Sequence, residues 1–351
     1  MNIKNAMLND PRKILVFCPN WVGDVVMATP AIRCLGRHFP HSSLHAVIRT
    51  YAAGVLKNNP LLNDIIACND KSLSGMRDLL QRIRRIQPDC AILLPNTLRS
   101  ALLLKTAGVR NIFGYKVNHR SLFLTGGPRP IREGRKIIPR PMTEYYLEIC
   151  RWLQLTPSEP TRPELFIGKE EQHTADQLLF QYDIKSGDLV VGLNPGAKFG
   201  SSKCWPPKYF ARLAELLQTQ LEAKVLLFVG PGEEGIAQEI MQTSTADIIN
   251  TGPDRIGLDL LKPMIQRCQL LITNDTGPRH YAVALGVPVV VIMGSTDPRY
   301  TASNLEKTVV LQRTDLECVP CHKKTCPHQH ECMTSIHPEE VFTAAEKMLH
   351  G

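Results

Sequence analysis

The run Thr273-Asn-Asp-Thr-Gly-Pro-Arg-His280, followed by the apolar stretch Val287 to Met293, restricts the possible folds more than any other part of the chain. Leu270 to Thr273 reads as the end of an apolar strand. Pro278 suits the first position of a helix, because its missing N–H would have no partner there. That placement makes Gly277 the expected N-cap. Free backbone N–H groups near Thr276 and Gly277 then lie at the positive end of a helix dipole, where phosphate or another anion binds without a metal. Thr276 and His280 fall within one turn of that spot. The chain continues Gly286-Val-Pro-Val-Val-Val-Ile-Met-Gly-Ser-Thr-Asp297, a buried strand and a loop. A nucleoside diphosphate is the first ligand this pattern suggests.

The same alternation runs through both halves of the chain. In the first half, Lys13 to Cys18, Leu44 to Arg49, Ile65 to Cys68 and Cys90 to Leu94 read as short apolar strands, and Leu73 to Ile86 has helical spacing. Thr29-Pro30 is a plausible cap and first position for the helix after the loop Pro19 to Asp24. A second series starts at Asp188. It has strands at Leu189 to Leu193, Lys224 to Val229 and Ile248 to Asn250, and helices at Tyr209 to Gln218, Ile236 to Gln242 and Leu258 to Cys268. Strands alternating with helices indicate βαβ units and parallel sheets. Thr156-Pro-Ser-Glu-Pro-Thr-Arg-Pro163 is rich in breakers and reads as a linker. The expected architecture is α/β, with two Rossmann-like domains facing a central cleft, because open α/β sheets bind ligands at the carboxyl ends of their strands. The expected boundaries are 1–165 and 166–335. The remaining segment, 336–351, is a helix that could pack on either domain, the N-terminal one included.

Bulk properties exclude several classes. The 351 residues suit two domains, and 43% hydrophobic with 21% charged residues is an ordinary globular balance. The longest apolar runs fall far short of the ~20 residues that span a bilayer. Residues 1–11 lack the apolar core of a secretory signal, so a cytoplasmic location is expected. The eleven cysteines are mostly scattered through apolar contexts, which suits reduced thiols. The formal net charge is +8, with basic residues clustered at Arg82 to Arg85 and from Arg129 to Arg140. The first cluster reads as a solvated helix face. The second is long and irregular, as a loop for an anionic partner would be: a membrane surface or a phosphorylated glycolipid. No aromatic platform or nucleic-acid motif accompanies it, so no nucleic-acid partner is expected.

Four further segments carry candidate chemistry. Asn194-Pro-Gly-Ala-Lys-Phe-Gly-Ser-Ser-Lys-Cys-Trp-Pro206 is a loop after a strand, at the same end of the sheet as Thr276 to His280. Its Asn194 and Gly196 are expected beside the ligand, and its lysines can neutralise phosphate. Gly230-Pro-Gly-Glu-Glu-Gly235 matches the dinucleotide fingerprint. Glu233 and Glu234, however, put negative charge where a pyrophosphate would lie, so a strand-ending turn is the plainer reading. An intermediate one sets Glu233 against a ribose diol. Asp24, after Trp21-Val-Gly23, is either a helix N-cap or a general base at a strand end. Cys318, Cys321, Cys326 and Cys332 form a cluster with His322, His328 and His330. Its first spacing suits zinc and its later spacings do not match a standard finger, leaving reduced cysteines or a redox-labile loop as the alternative.

Four ordered motifs together resemble the ADP-heptose:lipopolysaccharide heptosyltransferases. They are Asn20-Trp-Val-Gly-Asp24; Asn194-Pro-Gly-Ala197 with Lys203-x-Trp-Pro206; Asn274-Asp-Thr-Gly-Pro-x-His280; and Gly294-Ser-Thr-Asp-Pro298. The likeness runs over about residues 12 to 349 and looks closest to the type II branch, which the cysteine-rich segment also resembles. It implies a GT-B fold, with an N-terminal acceptor-binding and a C-terminal ADP-sugar-binding domain. It implies inverting transfer of heptose from ADP-heptose to the lipopolysaccharide inner core, with no metal and no cofactor, at the inner face of the cytoplasmic membrane. By the same resemblance Asp24 is the base and Lys203 is the charge partner of the departing diphosphate. Thr276, Gly277 and His280 cradle that diphosphate, Asp275 binds the donor sugar or makes an Asx-turn, and Glu233 contacts the ribose. Cys204 departs from the pattern, since a basic residue is expected after Lys203; Lys198 is a candidate to compensate. Two other classes compete: an NAD-dependent oxidoreductase resting on Gly230 to Gly235, and a zinc-dependent binding module centred on Cys318 to Cys332.

Overall fold

A computed structural model describes residues 10–69 and 72–350. The expectation about a secretory signal therefore falls, except for residues 10 and 11, outside the described residues. Among the described residues no helix is long and apolar enough to cross a membrane. The chain divides into two compact units. One is Met1–Phe166 with Arg299–Ser303, and the other is Ile167–Pro298 with Asn304–Gly351.

The first unit is built on five parallel strands: β1 (Lys13–Phe17), β2 (Ser43–Arg49), β3 (Asp64–Cys68), β4 (Cys90–Leu93) and β5 (Asn111–Gly114). Their spatial order is β3-β2-β1-β4-β5. Ile14, Leu15 and Val16 of β1 and all of β4 are buried, as expected for central strands covered on both faces. Helices Leu73–Ile86 and Leu98–Thr106 supply Leu79, Ile83, Ala101 and Leu104 to one side of this core. A small antiparallel hairpin follows, β6 (Arg132–Glu133) with β7 (Lys136–Ile137). The helix Met142–Trp152 then packs on Thr29–His38.

The entry into this unit differs from the expected loop and cap. Val22–Met27 is already helical and contains Asp24, and only Ala28 separates it from the helix Thr29–His38. Ala28 takes both cap positions, so Thr29 is the first helical residue. Its hydroxyl donates back to the Val26 carbonyl (2.8 Å) and accepts from the Glu164 N–H (3.0 Å).

The second unit has six parallel strands in the order β10-β9-β8-β11-β12-β13. These are β8 (Val190–Asn194), β9 (Lys224–Leu227), β10 (Ile248–Asn250), β11 (Leu270–Asn274), β12 (Val289–Met293) and β13 (Thr308–Gln312). This is the doubly wound Rossmann arrangement. Every residue of β8, β11 and β12 is buried. The chain winds one way from β8 through β9 to β10 and the other way from β11, so β8 and β11 flank the point where the order reverses.

The last helix, Pro338–His350, packs within this second unit. Val341, Phe342 and Ala345 join a core that includes Trp205, Phe210 and Leu217, and the helix lies against Pro207–Leu221. An apolar face of that size is stable only where it meets another.

Candidate active site

Two loops leave adjacent strands at the reversal point of the second unit, where an open parallel sheet parts to admit a ligand. Asn194 ends β8 and Thr273 faces it in register on β11. The Asn194 amide donates to the hydroxyls of Thr273 and Thr276 (both 3.2 Å). In return, the Asn274 side chain accepts from the Trp205 N–H (3.1 Å) and donates to the Pro195 carbonyl (2.6 Å). The 194–205 loop is therefore stitched to the 273–276 turn. Its far end is anchored by Trp205, which is fully buried and donates its indole N–H to the Ile336 carbonyl (2.8 Å).

The helix after β11 spans Gly277–Leu285, and its N-cap is Thr276 rather than Gly277. Proline is as well tolerated one residue further into the first turn, because no N–H there has an intrahelical partner. The Thr276 side chain makes no capping bond and instead receives the Asn194 amide. The first-turn N–H groups of Gly277 and Arg279 thus lack intrahelical acceptors and sit at the positive end of a nine-residue helix.

Beside that end lies a buried charge cluster. The Lys203 ammonium is 2.9 Å from Asp275 Oδ2 and 2.8 Å from the Asp275 carbonyl. The Arg279 guanidinium is 2.7 Å from Asp275 Oδ1, and the Thr296 hydroxyl donates to Oδ2 (2.6 Å). Burial alone would raise the Asp275 pKa, but Arg279 and Lys203 outweigh it and hold the carboxyl well below the usual range. Two cations share one carboxylate here, beside a helix N-terminus. Both Asp275 oxygens are already occupied by protein donors, an arrangement that holds Lys203 in place. The sequence reading did not single out Arg279, although an acid and a base four residues apart at a helix start are a recognisable pair.

Asp275→Asn is expected to destabilise the protein by about 3–5 kcal/mol, the usual cost of removing one partner from a buried ion pair. Urea unfolding of the variant measures it, and a loss below ~1 kcal/mol would contradict the picture of a desolvated cluster.

His280 is buried one turn into the same helix. Burial, then the Arg279 charge, lowers its pKa to about 3, so at neutral pH it is a neutral imidazole. It is therefore suited to a single hydrogen bond rather than to charge neutralisation. A depressed folded pKa means that His280 contributes stability fully above its unfolded pKa of ~6.5, and that this contribution is lost as pH falls towards 3. The expected slope is about 1.4 kcal/mol per pH unit over that range. Asp275 has the opposite charge type, and its folded value lies below the window. Thermal melts between pH 7.5 and 4.5 should fall more steeply for wild type than for His280→Asn; parallel curves would remove His280 as the cause.

Glu233 lies over Gly196. A Cβ on Gly196 would meet the Glu233 carboxylate, so a larger residue there would push that side chain aside. The carboxylate accepts the Gly230 N–H (2.8 Å). It thereby occupies the glycine turn that matches the dinucleotide fingerprint. Burial raises the Glu233 pKa, against the Gly230 N–H and Lys198, which lower it. Cys204 is a half-buried thiol whose pKa is raised first by burial and then by Glu233, and Lys198 lowers the pKa of that same Glu233.

In the first unit, Asp24 stands in the first turn of Val22–Met27, just past the carboxyl end of β1. The Tyr146 phenol, from the helix Met142–Trp152, donates to its Oδ1 (3.2 Å). Tyr146 is buried, and burial followed by the Asp24 charge pushes its pKa well up, so the proton stays on the phenol. Asn20 accepts from the Arg49 guanidinium (2.9 Å) and ties the preceding loop to β2. Tyr146 escaped the sequence reading because 122 residues separate it from its partner.

None of the eleven cysteines forms a disulfide. Cys318, Cys321, Cys326 and Cys332 line one small cavity with Ser202, Ser295 and His330. Cys332 is pushed up to about 11, first by burial and then by the other three thiols. Among the described residues no three His, Cys, Asp or Glu side chains are grouped to hold a metal. The segment instead clasps the Lys203 loop. The Ser202 N–H donates to the Lys324 carbonyl (3.1 Å), His330 Nε2 meets the Ser202 carbonyl (3.0 Å), and the His322 N–H donates to Ser295 (2.8 Å).

Two doubly wound units, the second with a helix N-terminus at its sheet reversal, make this a GT-B glycosyltransferase fold. The profile of glycosyltransferase family 9 (heptosyltransferase) matches residues 76–331, and the chain belongs to that family. It is 27% identical over 350 residues to lipooligosaccharide heptosyltransferase 2 of Haemophilus influenzae, covering 96% of this chain and 99% of that one. The solved structure of E. coli ADP-heptose LPS heptosyltransferase II superposes with a TM-score of 0.77 at 26% identity, covering 96% and 98% of the two chains. A family 9 glycosyltransferase from Veillonella parvula superposes with a TM-score of 0.82 at 24% identity, covering 97% of each.

Proposed function

We propose that this chain is an inverting heptosyltransferase that moves L-glycero-D-manno-heptose from ADP-heptose to the first heptose of the lipopolysaccharide inner core. The observation that carries the reading is the buried Lys203–Asp275–Arg279 ion cluster beside the N-terminus of Gly277–Leu285. Its likeness to type 2 heptosyltransferases over nearly the whole chain supports the choice of sugar. Breaking the glycosyl–phosphate bond leaves negative charge on ADP, which an oriented ammonium and helix N–H groups stabilise without reorganising.

In this reading Asn194 and Gly196 form the floor of the donor site, and Thr276, Gly277 and His280 surround the diphosphate. Glu233 meets the ribose, and Asp275 acts by holding Lys203. Asp24 accepts the proton of the attacking acceptor hydroxyl while that oxygen bonds to the anomeric carbon and ADP departs. The acceptor is lipid-anchored, so the enzyme works as a peripheral protein at the inner face of the cytoplasmic membrane.

The test is ADP release from ADP-heptose with acceptors carrying one inner-core heptose or none. Release that needs the single heptose supports the assignment. Release only with the heptose-free acceptor reassigns the chain to the first transfer, and a requirement for a more elaborated core reassigns it to a later one. Absence of release with every acceptor, from folded protein that binds ADP, would sink the choice of sugar.

A further inference from the structure

The hairpin β6–β7 is a surface element of the first unit. Every residue from 131 to 138 is exposed. Three of these eight are isoleucines, with Ile131 58%, Ile137 45% and Ile138 40% exposed. The strands are closed by the pairs Arg132↔Ile137 and Glu133↔Lys136, and the Ile138 N–H donates to the Ile131 carbonyl (3.0 Å). Gly134, at φ +58°, turns the tip, and no atom lies within 4 Å of where its Cβ would be. Successive strand residues point to opposite faces. Ile137 therefore shares a face with Arg132, while Ile131 and Ile138 lie on the other with Lys136. Apolar surface on both faces of a thin projection is not covered by packing one side against a protein surface. It is covered when the hairpin beds into an interface where the isoleucines meet an apolar layer and the charged turn stays among polar groups.

The charges indicate which medium. Arg129, Arg132, Arg135 and Lys136 sit among the isoleucines, against the single acid Glu133. Arg140, just beyond, is 3.7 Å from Glu148 on the helix Met142–Trp152. That helix also carries Tyr146, the partner of Asp24. Isoleucines interleaved with arginine and lysine are the composition of an interfacial anchor, with the apolar side chains below the headgroups and the cations among the phosphates. We propose that the Arg129–Ile138 hairpin docks the first unit onto an anionic lipid bilayer. The proposal deepens the reading of a lipid-anchored acceptor, because the hairpin would hold the Asp24 side of the enzyme at the surface from which that acceptor projects.

The experiment is co-sedimentation of the full chain with vesicles of phosphatidylethanolamine and phosphatidylglycerol, compared with phosphatidylcholine alone. One variant carries Ile131→Ser, Ile137→Ser and Ile138→Ser, and a second carries Arg132→Gln, Arg135→Gln and Lys136→Gln. Wild type is expected to bind the anionic vesicles and to be released by salt. Each variant is expected to bind roughly tenfold or more weakly, given a several-fold contribution from each cation. Melting temperatures and ADP release with a delipidated, water-soluble acceptor should stay at the wild-type level. Vesicle binding that survives either triple substitution overturns the proposal, as does wild-type protein that ignores anionic vesicles. A higher KM for the delipidated acceptor in the Gln variant, with vesicle binding intact, would mean that the hairpin reads the acceptor's own phosphates instead. Loss of vesicle binding is measured without turnover, so it stands or falls separately from the sugar assignment.

Discussion

Asp24→Ala should lower kcat by about 10²–10⁴-fold while ADP-sugar affinity stays close to wild type, the range that a positioned general base supplies. The separation follows from location. Asp24 belongs to the first unit, whereas the candidate diphosphate groups, Lys203 and the N-terminus of Gly277–Leu285, belong to the second. Alanine has a side effect, since it leaves the buried Tyr146 phenol without its Asp24 acceptor, at about 1–3 kcal/mol. Asp24→Asn is the cleaner companion: it keeps an oxygen for Tyr146 and removes only the basicity. Near-normal turnover in Asp24→Asn, measured with saturating donor, would end the base assignment.

Lys203→Ala should weaken both steps, lowering kcat by roughly 10²–10³-fold, the usual loss for one transition-state charge contact, and raising the Kd for ADP. It removes the only cation of the cluster that reaches in from the 194–205 loop and leaves Asp275 paired with Arg279. The helix terminus then loses one neighbouring positive charge. Calorimetric titration with ADP and with adenosine separates the cause, since only the ligand bearing phosphates should lose affinity. Equal losses for both would indicate a collapsed loop, and unchanged ADP binding would take Lys203 out of the diphosphate site.

The sheets were legible because fully buried parallel strands are continuous apolar runs: Val289–Met293 and Leu270–Asn274 lie within a residue or two of where hydrophobicity puts them. The hairpin was not, because strands of two residues are too short to show an alternation. β13 went unread although it runs Thr-Val-Val-Leu-Gln, since no recognisable helix leads into it and it pairs only with β12. At the site, the motif spacing brought Asn194, Lys203, Asp275 and Thr276 to one place. What it could not reveal was who holds whom. The contacts of Asn274 with Trp205 and Pro195 and the Glu233–Gly196 approach join separate strands, and local sequence carries no signal for such pairs. Thr276 was displaced as cap by Gly277 in the sequence reading because proline fits either of the first two helical positions.

The anchoring of Trp205 also bears on recognition. A glycine-rich segment beside a ligand site ordinarily gives up conformational freedom when the ligand arrives, and that loss subtracts from affinity. Here the segment is already fastened at three places: to the 273–276 turn, to the cysteine-rich clasp through Ser202, and to the hydrophobic core through the indole of Trp205. Its ordering entropy is lost during folding rather than at the encounter. If the loop binds the donor as proposed, the donor meets a surface whose shape is set beforehand, and contacts as far away as Ile336 and Lys324 are expected to influence its affinity.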